Sequence, residues 1–76
     1  EGIRVGSKVR VIKTRGDKLR IRAEASIKAK ILAGAAEGSI LEVIGGPKTA
    51  DGYTWWQVRL NSTVGWTAQD WLEPLK

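Results

Sequence analysis

The sequence predicts an all-β domain: a small closed barrel of short antiparallel strands with one short helical turn. Three observations point there. Apolar residues recur with period two (Val9 and Val11, then Leu19 and Ile21) between charged ones, the rhythm of half-buried antiparallel strands. Turn-forming residues punctuate the chain at close spacing, as they do between short strands. The 76 residues suffice for one domain but are few for a two-sheet sandwich, and a sheet closed on itself also removes its exposed edges. The whole chain is read as a single domain with its core over about residues 8–74, and with 1–6 and 75–76 as flexible ends.

Taken in order, Lys8–Lys13 alternates apolar and basic residues and reads as the first strand. Arg15-Gly16-Asp17-Lys18 is a turn signal, and Leu19–Ala23 a second strand. A three-residue loop, Gly16 to Lys18, would pair Val11 with Ala23 and Lys13 with Ile21. It places Val9, Val11, Leu19, Ile21 and Ala23 on one face, whereas a two-residue loop would mix core and charge on both faces. Ser26–Ala33 has helical propensity, but Gly34 and Gly38 confine any helix to about two turns, which is marginal alone. The expectation is a single turn near 27–29 and a strand near 30–35. Ala36-Glu37-Gly38-Ser39 then reads as a turn and Ile40–Ile44 as a strand, ended by Gly45-Gly46-Pro47 and a loop to Gly52. Tyr53–Leu60 is dense in aromatic and β-branched residues, as strands favour. Asn61-Ser62 closes a hairpin to Thr63–Thr67, Ala68-Gln69-Asp70 makes a helical turn, and Trp71-Leu72 a last strand stopped by Pro74. Gly6-Ser7-x-x-x-Val11-Ile12 echoes Gly38-Ser39-x-x-x-Val43-Ile44; in both, the chain enters a strand from a turn.

The composition excludes several functions. With no Cys there are no disulfides or thiolate sites, and with no His the commonest general base is missing. The eight carboxylates are scattered, without a pair or cluster suited to acid–base or metal chemistry. Gly45-Gly46-Pro47 lacks the Lys-Ser/Thr and helix of a phosphate loop. No catalytic residue, metal or cofactor is therefore expected. No apolar run of about 18 residues exists to span a membrane. No signal peptide is visible, and a start at Glu1-Gly2 without Met reads as a mature or excised piece. The net charge of +5 is uneven: residues 1–30 carry ten basic and three acidic side chains, residues 31–76 three and five. A basic half favours anionic partners, although a solvated face carries charge too.

Five motifs occur in a telling order: Leu19-Arg20-Ile21-Arg22, Ala36-Glu37-Gly38-Ser39, Tyr53-Thr54-Trp55-Trp56-Gln57-Val58-Arg59, Gly65-Trp66-Thr67 and Asp70-Trp71-Leu72. On these the chain resembles a bacterial SH3 domain, over about residues 8–74. It departs at Arg20, where the family usually has Asn, at Glu24-Ala25, where Gly-Pro is common, and at Ala36, where Pro is usual. The resemblance implies an SH3-like barrel of five to seven short strands, a non-catalytic binding role, and a place in the cell envelope or outside the cell.

The aromatic residues are the most informative: four Trp and one Tyr, all between 53 and 71. Val58 belongs to the core, so Trp56 and Leu60 share its side, and Trp55, Gln57 and Arg59 face the other way. The resemblance puts Thr67 inward, Trp66 outward and Trp71 beside it. It further implies a groove in which Trp55, Trp66 and Trp71 take the aromatic positions of eukaryotic polyproline-binding relatives. Ala68 then stands at the usual Pro and Asp70 at the usual Asn, and Arg20 and Arg22 replace aromatic residues of the opposite wall. Tyr53 would lie at the groove's edge. Such a site suits an extended peptide whose carboxylate pairs with arginine, and Trp55 could stack on an arginine. Each residue has a plainer alternative: Trp66 as a roof on a thin core, Tyr53 as a loop anchor, Asp70 as an ion-pair partner, and Arg20 and Arg22 as a solvated strand face. The ligand-binding set is thus Trp55, Trp66, Trp71, Arg20, Arg22, Tyr53 and Asp70. Its expected partner is a cell-wall peptide or a protein. A domain packing its Trp face on a neighbour or a second copy is the alternative, and single-stranded nucleic acid is the least favoured.

Overall fold

The computed structural model describes residues 2–75. Seven strands form one antiparallel sheet: β1 (Lys8–Val11), β2 (Lys18–Arg22), β3 (Ile31–Ala36), β4 (Ile40–Ala50), β5 (Tyr53–Leu60), β6 (Thr63–Ala68) and β7 (Leu72–Pro74), with a 3-10 turn at Gln69–Trp71. Their order across the sheet is β3-β2-β6-β5-β4-β1-β7. The sheet curls around one core, an SH3-like barrel filled by Val9, Val11, Leu19, Ile21, Ala35, Leu41, Val43, Trp56, Val58 and Leu72. The period-two residues of the first two strands are therefore inside, as their alternation requires. Ala23 is not: it is exposed, where the chain leaves β2 and its amide bonds to the Lys30 carbonyl at 2.8 Å.

The expected hairpin between the first two strands does not form. β1 pairs with β4 and β7, and β2 with β3 and β6. The turn after Thr14 is real, with Arg15 at φ 55° and the Asp17 amide bonded back to the Thr14 carbonyl at 3.0 Å. It sends the chain to the opposite side of the barrel rather than back along β1. Glu37 holds this loop, accepting bonds from the Thr14 hydroxyl at 3.1 Å and the Arg15 amide at 3.2 Å.

β4 is longer than its sequence suggested. It runs through Gly45-Gly46-Pro47 with register shifts and continues to Ala50 opposite Tyr53. The reversal is Asp51-Gly52, at φ 52° and 79°, a two-residue turn of the kind that matches strand twist. The Gly6-Ser7 and Gly38-Ser39 echo also has a structural meaning. The Gly6 amide bonds to the Val43 carbonyl and the Val43 amide to the Ser7 carbonyl, at 2.8 and 2.9 Å. The Gly38 amide bonds to the Val11 carbonyl and the Val11 amide to the Ser39 carbonyl, also at 2.8 and 2.9 Å. The two segments are thus related by a local two-fold between β1 and β4. The first of these contacts, with Ile3 packed on the core, ties down the chain ahead of β1. Leu75 is tied at the other end through its amide to the Lys8 carbonyl at 3.0 Å. Glu1 and Lys76, expected as parts of flexible ends, lie outside the described residues.

The two parts of the sheet join where β2 meets β6. One Cα pair, Arg22 with Trp66, links them, and the Thr67 hydroxyl donates to the Arg20 carbonyl at 3.2 Å. Gly65 permits this approach: a Cβ there would lie 2.6 Å from the Arg22 carbonyl oxygen and 2.6 Å from Ile21 Cγ2.

Candidate functional site

β2 alternates Leu19 and Ile21 inward, so Lys18 and Arg20 are exposed and Arg22 is half-buried. β5 alternates from Tyr53, with Trp56 and Val58 buried in the core and Leu60 packed against it. The indole N–H of Trp56 donates to Gln69 Oε1 at 2.7 Å, anchoring the 3-10 turn and so placing Trp71.

Trp55 is the main correction. It leaves the strand on the face opposite Trp56, as the period demands, yet only 3% of it is exposed. Its indole N–H donates to the Ala50 carbonyl at 2.9 Å. Tyr53 meets it edge-on, with ring centroids 6.0 Å apart and planes at 74°. The segment after β2 folds toward this corner because the Asp51 carboxylate accepts bonds from the Ser26 hydroxyl and the Ile27 amide, both at 3.1 Å. That segment is also bound to Arg22, whose guanidinium donates to the Ala29 carbonyl at 3.0 Å. Trp55 is thus the floor of a cleft rather than a free contact surface, and Tyr53 links it to Trp71 with ring centroids 5.9 Å apart.

The cleft has a volume of about 310 Å³ and brings together Arg20, Arg22, Tyr53, Trp55, Ala68 and Trp71. Five of the seven residues read as a binding set therefore share one depression. Two do not. Trp66 lies beside Arg22 and Gln57 in the sheet register, with Lys48 Nζ 5.4 Å from its ring centroid. The cation–π contact in this structure is therefore lysine on Trp66, not arginine on Trp55. Asp70 borders a shallower depression with Lys13, Arg15 and Trp71.

Sequence reasoning missed Thr14, Asp17, Lys18 and Ile27 in the cleft lining. Ile27 lines the cleft although it is 48% exposed, and its type alone gave no signal; Asp17 was read only as a turn residue. The charge is lopsided: Lys18, Arg20 and Arg22 against the single carboxylate of Asp17. Among the described residues the ion pairs are Arg10 with Glu73 and Arg59 with Glu42, elsewhere on the sheet. Neither pair includes a cleft cation, and Arg22 is instead bonded to the Ala29 carbonyl. An aromatic floor with an arginine wall can hold a planar or extended group and bond a carboxylate. Among the described residues no cluster of acidic side chains could hold a metal ion. No helix among them is long and apolar enough to cross a membrane.

Comparison with known proteins agrees with this architecture. A family model described as "Bacterial SH3 domain" matches residues 17–73. Neither the curated proteins nor the solved structures gave a match.

Proposed function

This chain belongs to the bacterial SH3 domain family, and from that premise we propose that it is a non-catalytic module holding a short extended peptide by its backbone and a free carboxylate. The family consists of binding modules, often directed at cell-wall polymer, and occurs commonly in envelope or extracellular proteins. One observation carries the finer reading: Arg20 and Arg22 of β2 share a cleft with Tyr53 and Trp71. At about 310 Å³ it sits at the small end of ligand sites and suits one or two residues of a peptide. Cell-wall stem peptides end in carboxylates, as does the C-terminus of any protein partner. Targeting a larger envelope protein to such a polymer is the role this supports.

The experiment is a pull-down on purified cell-wall sacculi, paired with titration of a short stem-type peptide as free acid and as carboxamide. The free acid binds more tightly by about tenfold, the worth of one charge-assisted bond. Arg20→Gln removes that preference without touching the core. Sacculi that retain nothing, with acid and amide binding equally, overturn the proposal.

A further inference from the structure

Among the described residues, four other than glycine take a positive φ: Lys13 at 62°, Arg15 at 55°, Asp51 at 52° and Asn61 at 56°. Asp and Asn tolerate this region, because a short polar side chain can bond locally. Lys and Arg lack that means, so both sites are strained. Such strain persists where the surroundings over-determine it, and it clusters at ligand clamps. Here the surroundings do so. Thr14, between the two, is buried, and its hydroxyl donates to the Glu37 carboxylate, which also accepts the Arg15 amide. The Ile12 amide donates to the Trp71 carbonyl at 2.9 Å, setting this loop beside the 3-10 turn.

Lys13 and Arg15, both exposed, line one depression with Asp70 and Trp71. Their neighbours Thr14 and Asp17 line the cleft, and Trp71 lines it too. Loop and indole therefore stand between two basic hollows that one extended chain can cross. The ion pairs among the described residues include neither Lys13 nor Arg15. Asp70 adds one carboxylate here, as Asp17 does in the cleft. A polymer charged on every unit would set like charges beside both, whereas a peptide can space its carboxylates to avoid them. We propose that Lys13 and Arg15 form a second anion subsite, reached across Trp71 by the peptide held in the cleft. The ligand is then an acidic peptide, with its terminal carboxylate on Arg20 and a side-chain carboxylate on Lys13 and Arg15. This deepens the peptide reading of the cleft and rests on it.

The test titrates free-acid peptides in which one residue ahead of the C-terminus is Glu or its neutral isostere Gln, scanned along the peptide. At one position the Glu peptide binds the wild-type chain about threefold tighter, the worth of an exposed charge contact, and added salt narrows the gap. The double variant Lys13→Gln, Arg15→Gln, at exposed sites, loses that gap but keeps the preference for free acid over carboxamide. Arg20→Gln does the reverse. Glu and Gln peptides that bind alike at every position, while free acid still exceeds carboxamide, overturn this inference alone. A gap that survives in the double variant does the same. A short oligothymidylate bound more tightly than the Glu peptide assigns the surface to a phosphodiester chain and also overturns it. No binding of any peptide overturns it together with the reading beneath it.

Discussion

Replacing Gly65 by alanine tests the junction that positions the arginine wall. The new Cβ would stand 2.6 Å from both the Arg22 carbonyl oxygen and Ile21 Cγ2. Carbon contacts are comfortable near 3.5 Å, so β2 and β6 must part by roughly 0.9 Å. They have little pairing to spare, being held by one Cα pair and the bond from Thr67 to Arg20. Overpacking of this kind costs about 1–3 kcal/mol, and alanine recovers about 0.5–1 kcal/mol over glycine inside a strand. A net loss of about 1–2 kcal/mol lowers the melting temperature of a domain this size by about 5–15 °C. Thermal unfolding followed by Trp fluorescence reads it directly. Gly2→Ala is the control, since nothing lies within 4 Å of a Cβ there. A Gly65→Ala chain melting within about 1 °C of wild type would refute the tight β2–β6 approach, and with it the placement of Arg20 and Arg22.

Three further outcomes follow from individual contacts. Gln69→Leu strands the Trp56 indole N–H, now bonded at 2.7 Å; chemical denaturation will show a loss of about 1–3 kcal/mol. Asp51→Asn keeps a residue type that tolerates φ 52° but weakens acceptance from Ser26 and Ile27, and exchange of the Ile27 amide speeds up about tenfold. Lys48→Ala removes the cation over Trp66 at 5.4 Å; an exposed contact of this type is worth about 0.5–1 kcal/mol, readable as a melting shift of a few degrees.

What the sequence revealed, and what it hid, divides along a physical line. β5 was legible to its ends because Tyr53–Leu60 carries its own alternation and strand-favouring side chains. The buried faces of β1 and β2 were legible for the same reason. Pairing was not. The turn at Arg15 implies that the chain bends, but says nothing of which distant strand lies beside β1, and a local hairpin was the wrong default. Gly45-Gly46-Pro47 reads as a stop because those residues usually end strands, although in this sheet they accompany register shifts within one. The pair Asp51-Gly52 carried the true turn signal and was outweighed by its neighbours. At the site, alternation assigned Trp55 to the correct face of its strand. It could not report burial, which comes with Tyr53 packed edge-on against the indole and the bond from its N–H to the Ala50 carbonyl.

The position of β1 has a practical consequence. It is first in the chain yet sits between β4 and β7, with Val9 and Val11 fully enclosed. A fragment beginning at Gly16 would keep every cleft residue except Thr14 but would present an empty slot flanked by β4 and β7. A synthetic peptide spanning the missing stretch, Ile3 to Thr14, has both the ladder and the side chains to fill that slot. The domain is therefore suited to splitting into a short reporter tag and a receptor whose folding depends on its return.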